Sequence, residues 1–136
     1  MKRGFTLLEL ILVLAIGTIL ATLAVPKYLS WTISTRLKMD ANIIASAVYN
    51  TRMQAKRTAS SKQLSTTSGS SSFTAAGVTT TLQYTKLMTT STLNFNPPYG
   101  TSPDTLPIAL TVQSLRDSSK TLTVRVVSRM GKVVVQ

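Results

Sequence analysis

Residues 1–28 read MKRGFTLLELILVLAIGTILATLAVPKY, and this stretch decides what kind of chain follows. From Phe5 to Val25 it is an apolar run of about 21 residues, interrupted only by the carboxylate of Glu9. As a helix such a run is roughly 30 Å long, the thickness of a bilayer's hydrocarbon core. Lys2 and Arg3 precede it, and positive charge at that end keeps the N-terminus in the cytoplasm and sends the remainder outward. A secretory signal fits poorly, because its apolar region is usually shorter and "LATLAVPKY" is a weak cleavage sequence. A plain membrane anchor accounts for everything except Glu9. A carboxylate at that depth costs about 2.5 to 3.5 kcal/mol unless it is paired, protonated or near the interface, so it calls for a partner.

Composition narrows the chemistry. The 136 residues suffice for one domain of ordinary size, and Lys and Arg number 15 against 4 acids, a formal charge of +11. Such a basic chain commonly meets phosphates or anionic lipids. With no cysteine and no histidine, disulfides, thiolate metal sites, Ser-His-Asp catalysis and the usual zinc sites all lack their central part. The acids Glu9, Asp40, Asp104 and Asp117 stand singly, so no carboxylate pair is signalled. The "SSK" runs at 60–62 and 118–120 lie in polar, turn-like sequence. The expectation is a protein that is not an enzyme and needs no cofactor and no metal.

"KRG" followed at once by "FTLLEL" and an apolar stretch resembles the class III signal of type IV prepilins, a family of pilins, minor pilins and secretion pseudopilins. The resemblance implies that prepilin peptidase cuts between Gly4 and Phe5, that residues 1–4 are the leader, and that Phe5 becomes the N-methylated terminus. Glycine, with no side chain, suits a tight protease subsite, and the new amine is a partner for the Glu9 carboxylate. Within one helix Phe5 and Glu9 stand four apart and can interact. In packed helical arrays, as the family implies, Glu9 meets the amine of a neighbouring subunit, and a slipped register leaves both charges unpaired.

Beyond the span 5–25, Pro26 and the internal Gly17 are points where a helix kinks or loses hydrogen bonds, and the resemblance implies that this stretch melts on filament packing. Residues 26–57 return to helical spacing, with Ile33, Leu37, Ala41, Ile44, Val48 and Ala55 on one face. That face must cover a sheet or another helix. Tyr28 and Trp31 suit either the membrane interface or packing in the head.

Residues 58–72, TASSKQLSTTSGSSS, have no apolar period and read as a flexible connection. Strand patterns follow: "FTAAGVTTTLQYTKLM", then "LPIALTVQSL" with Leu106, Ile108, Leu110 and Val112 alternating, then "TLTVRVVSR" with Leu122, Val124 and Val126 inward, then "KVVVQ". "NFNPPYGTSPDTLP" reads as an irregular loop. The expectation is an α+β fold, in which a long N-terminal helix packs its second half on five to seven short strands. These form an antiparallel sheet or small sandwich, and 26–57 and 58–136 make one domain. The order of helix then strands resembles the type IV pilin fold.

The exported part carries about +10. Arg125, Val127 and Arg129 share the strand face opposite Leu122, Val124 and Val126, and Lys120 and Lys132 flank them at turns, which suggests a compact basic patch. Three readings stay open: a solvated face that keeps an edge from pairing, sequence-independent contact with the backbone of extracellular double-stranded DNA, or attraction to anionic lipid headgroups. "ANIIASAVYNTRMQAKRTAS" and "VSRMGKVVVQ" are similar to GspH-type pseudopilins and FimT-type minor pilins, some of which bind DNA during uptake through a Gly-Arg-x-Arg-like hairpin. This chain has Gln54 in the acidic slot of the helix run, and keeps Gly131 and Lys132 but has Val134 at the second arginine position. The resemblance implies a minor pilin or pseudopilin of a type IV pilus or type II secretion pseudopilus. Its implied partners are prepilin peptidase, other pilins and the bacterial inner membrane, and the alternative is a DNA-binding minor pilin for natural transformation.

Overall fold

The computed structural model describes residues 6–136. One helix, α1 (Leu7–Thr58), is followed by eight strands among the described residues. These are β1 (Lys62–Thr66), β2 (Ser72–Ala75), β3 (Val78–Thr81), β4 (Thr85–Leu87), β5 (Ser91–Phe95), β6 (Ile108–Ser114), β7 (Thr121–Val126) and β8 (Val133–Val135). The fold is α+β, and two compact units divide it, one ending at Thr32 and the other spanning Ile33–Gln136.

In the first unit every described side chain from Thr6 to Trp31 is exposed, which fits an apolar helix long enough to cross a bilayer. The helix is assigned straight through Pro26, whose missing N–H leaves the Thr22 carbonyl without its usual donor. A Cβ added at Gly17 would meet nothing within 4 Å, so close packing inside this chain does not explain that glycine. Tyr28 and Trp31 pair with ring centroids 6.0 Å apart, and both are exposed.

In the second unit the expected helix face buries Leu37, Ala41, Ile44, Val48 and Ala55, and Ile33 is half-buried. The strands form two four-stranded antiparallel sheets, in the orders β3-β2-β1-β5 and β4-β6-β7-β8. Leu64, Phe73, Leu93 and Phe95 from the first sheet and Leu87, Leu110, Val112, Val124 and Val126 from the second join the helix face in one core. The alternation of "LPIALTVQSL" emerges as β6, with Leu110, Val112 and Ser114 buried and Ala109, Thr111 and Gln113 on the other face.

The segment 58–72 differs from its expectation. It contains β1, an inner strand paired to β2 through Leu64↔Ala75 and to β5 through Leu64↔Leu93. Leu64 is its one aliphatic side chain in the core, and the buried Thr66 hydroxyl donates to the carbonyls of Thr89 and Ser91. A hydroxyl-rich strand carries no apolar period, yet threonine is a good strand former when its hydroxyl is satisfied. The turn after β1 is equally ordered, since the Gly69 N–H donates to the Leu87 carbonyl and the Leu87 N–H donates to the Ser70 carbonyl, which ties the two sheets together.

A buried carboxylate joins helix to sheet. Asp40, 1 % exposed, accepts hydrogen bonds at Oδ2 from the Tyr84 N–H and the Thr85 hydroxyl, each at 2.9 Å. Burying a polar group is tolerable only with such partners. It fixes where β4 begins against the helix.

Candidate functional site

Glu9 lies in the first turn of α1, where the sequence "TLLE" has the spacing of a capping box. The Glu9 N–H donates to the Thr6 hydroxyl at 3.2 Å, and the Leu10 N–H to the Thr6 carbonyl at 3.2 Å, so Thr6 caps the helix. An acid here also favours the positive end of the helix dipole. The capping role of Thr6 escapes a reading that looks only at the Glu9 charge, and Glu9 takes part in it through its backbone N–H alone. The carboxylate itself is exposed and has no hydrogen-bond or ion-pair partner among the described residues. Gly4 and Phe5, the expected cleavage and methylation positions, lie outside the described residues.

At the other end of the chain, β7 places Arg125 on the exposed face between buried Val124 and Val126, opposite Ala109 of β6 and Val134 of β8. The strand stops at Val126. Arg129 therefore belongs to the turn rather than to the strand face, and Lys132 follows it just before β8. The Val127 N–H donates to the Lys132 carbonyl at 2.9 Å, the Gly131 N–H to the Ser128 carbonyl at 2.8 Å, and the Ser102 N–H to the Arg129 carbonyl at 2.8 Å. These bonds hold the turn in shape while Arg125, Arg129 and Lys132 stay exposed at one end of the hairpin.

Lys120 does not join them. It precedes β7, and its Nζ donates to the Ser34 hydroxyl at 3.1 Å. The six residues of β7 put roughly 20 Å between the two ends of the strand. The basic patch is thus split, and its hairpin end gains a cation that strand alternation does not reveal. Arg52 of α1 donates from Nε to the Gly100 carbonyl at 3.2 Å, and its Cδ is 3.5 Å from where a Cβ on Gly131 would stand. Tyr49, one helical turn earlier, accepts from the Val133 N–H at 3.5 Å.

One acid is tied to this end. Asp104 accepts from the Asn94 N–H at 2.6 Å, the Asn94 side-chain amide at 3.1 Å and the Ser102 hydroxyl at 3.0 Å. Desolvation is the largest single influence and pushes its carboxyl up, but the bonds from Asn94 and Ser102 together outweigh it and hold the group below its ordinary value. Among the described residues no three histidine, cysteine, aspartate or glutamate side chains come together as a metal site.

Comparison with known proteins bears on the N-terminal site. The family model described as the prokaryotic N-terminal methylation motif matches residues 1–25. No curated protein and no solved structure gives a significant match. A signal of this class implies processing by prepilin peptidase and assembly with other pilins, and the apolar helix behind it fits an anchor in the inner membrane. With this motif at the head of a long apolar helix, and antiparallel sheets following it, the chain is similar to type IV prepilins over its N-terminal 25 residues and carries their methylation signal.

Proposed function

We propose that the chain is a minor pilin or pseudopilin, a structural subunit that enters a type IV pilus or type II secretion pseudopilus by helix packing, and that it is not an enzyme. The observation that carries this reading is Glu9, an exposed carboxylate on an apolar helix with no partner among the described residues. Cleavage after Gly4 supplies the missing cation as the N-methylated amine of Phe5 on a neighbouring subunit. A bond of that kind in hydrocarbon fixes register, since slippage strands two charges. Residues 1–4 are then the leader, 5–25 the span, and the remainder the head, carried outside the cytoplasm. The test is incorporation into sheared filaments: the Glu9→Ala chain inserts in the membrane as well as the parent yet is depleted from filaments. Undiminished incorporation overturns the pairing.

A second reading, capture of extracellular double-stranded DNA, draws support from the exposed Arg125, Arg129 and Lys132 at one hairpin end. Lys120 contributes little to it, being held by Ser34 near the opposite end of β7. Gel shifts of the full chain in detergent decide the matter. Binding that weakens steeply with salt and is lost on replacing Arg125, Arg129 and Lys132 together supports it, whereas no shift at low salt removes it.

A further inference from the structure

A second basic feature lies wholly within the unit that begins at Ile33. There, side chains from α1, from the residues around the start of β4 and from the end of β6 enclose a cavity of about 300 Å³, at the small end of ligand sites. Two guanidiniums border it, Arg36 on the helix and Arg116 in the turn after β6. The Arg36 Cζ lies over the Tyr84 ring, 4.8 Å from its centroid, and this cation–π contact holds the guanidinium beside the cavity.

Neither guanidinium has a hydrogen bond or a carboxylate partner among the described residues. The acids closest to them in sequence are engaged elsewhere. Asp40, one helical turn beyond Arg36, is buried against the Tyr84 N–H and the Thr85 hydroxyl. Asp117, next to Arg116, accepts from the Ser119 hydroxyl at 2.6 Å and the Ser119 N–H at 3.0 Å. Ser114 accepts from the backbone N–H groups of Arg116 and Asp117, which leaves its own hydroxyl proton to donate, and Gln83 adds an amide at the rim. No acid lines the cavity.

We propose that this cavity binds a phosphomonoester, with the phosphate between Arg36 and Arg116 and the carbon skeleton against Ile33 and Leu115. Two guanidinium forks, a hydroxyl and an amide supply more donors than a carboxylate's two oxygens can use, and they suit the three terminal oxygens of a phosphate. A phosphomonoester carries about −1.5 to −2 at neutral pH, which matches two uncompensated cations. The apolar wall favours an organic phosphate over the inorganic ion, and a small concave site suits a single phosphate rather than the continuous backbone of a duplex. The phosphate arrives either on a soluble molecule or as the headgroup of a phosphatidic-acid lipid, and the chemistry of recognition is the same.

The full chain in nonionic detergent is titrated calorimetrically with glycerol 3-phosphate, and the chain in phosphatidylcholine nanodiscs is compared with and without phosphatidic acid. Saturable binding with a Kd of about 1 mM or tighter is expected. Arg36→Gln and Arg116→Gln each weaken it about tenfold or more, and the Arg125→Gln, Lys132→Gln pair leaves it unchanged. Arg36→Lys keeps the charge but not the fork, and loses affinity to an intermediate degree. Binding of glycerol 3-phosphate assigns a soluble ligand; binding confined to phosphatidic acid discs, with the same arginine dependence, assigns the lipid. Three results overturn the proposal: no saturable binding of either probe, binding that depends on Arg125 and Lys132 instead, or displacement of glycerol 3-phosphate by a short DNA duplex. Unchanged circular dichroism of the arginine variants separates lost binding from lost folding.

Discussion

Arg52 and Gly100 are closely apposed: the Arg52 Nε donates to the Gly100 carbonyl at 3.2 Å, and a Cβ on Gly100 would stand 2.8 Å from the Arg52 Cγ. Gly100 also has φ +62, a backbone conformation that L side chains rarely adopt. Backbone and side-chain space therefore both demand glycine. Gly100→Ala is expected to destabilise the head by about 2 to 4 kcal/mol, through strain at positive φ together with overpacking against α1. Thermal unfolding of the full chain in detergent, followed by the β-sheet circular dichroism signal, checks this; a midpoint equal to the parent's refutes it.

Asp40→Ala removes the acceptor of two donors, the Tyr84 N–H and the buried Thr85 hydroxyl. Leaving both unsatisfied costs about 2 to 4 kcal/mol. Asp40→Asn retains one acceptor oxygen and loses less. The ranking of parent, Asn and Ala variants in chemical denaturation tests the assignment, and equal midpoints for the two variants contradict it.

Acid stability should depend on Asp104. Its carboxyl is held below the ordinary 3.8 in the folded chain, so its contribution is present in full above that value and is lost as pH falls through it toward the lower folded value. Asp117 is shifted the same way, mainly by the Ser119 hydroxyl and N–H, with an opposing desolvation effect and help from Lys120. It is exposed to solvent and contributes less. Comparing denaturation midpoints at about pH 6 and about pH 3, the Asp104→Asn chain should lose less on acidification than either the parent or Asp117→Asn. A parent-like acid loss in Asp104→Asn would show that this carboxyl does not carry the acid sensitivity.

Two alanines occupy glycine's backbone region, Ala59 at φ 47 directly after α1 and Ala76 at φ 52 in the turn between β2 and β3. Ala59→Gly relieves strain at a helix end that ordinarily ends in glycine, and a gain of about 0.5 to 1 kcal/mol is expected. The same substitution at Ala76 should act alike in the β2–β3 hairpin, where Gly77 at φ 88 completes a pair of positive φ angles. Loss of stability in either variant would argue against the reading.

Processing and assembly should separate. Gly4→Leu is expected to leave the leader attached, seen as an unshifted mass for the membrane-inserted chain. Glu9→Ala is expected to be cut normally and to fail later, at filament entry. A cut Gly4→Leu chain, or an uncut Glu9→Ala chain, breaks the assignment of roles.

The helix and the later strands were legible because their patterns are strong: Leu37, Ala41, Ile44 and Val48 repeat at helical spacing, and Leu110 and Val112 alternate. β1 was illegible for a physical reason. Its inward positions are Leu64 and Thr66, and a threonine that is satisfied by the Thr89 and Ser91 carbonyls looks polar in a sequence though it behaves as core in a fold. The basic patch was half legible. Alternation places Arg125 correctly, but where a strand ends and which helix residue meets its first turn are tertiary facts, so Arg129 left the strand and Lys120 went to Ser34. The cavity bordered by Arg36 and Arg116 has no local signature, because its two cations are brought together only by packing the helix against β6.

The order of β1 bears on how the protein can be labelled. Residues 58–72 look like the natural place for an epitope or a fluorophore, yet an insertion there splits an inner strand or breaks the Gly69 and Ser70 bonds to Leu87 that join the sheets. The turn at Ala76–Gly77 is the better position, since nothing lies within 4 Å of a Cβ on Gly77 and β3 is an outer strand. A tag placed there reports on an intact head, whereas the same tag in the serine-rich stretch reports on a head whose first sheet is broken at an inner strand.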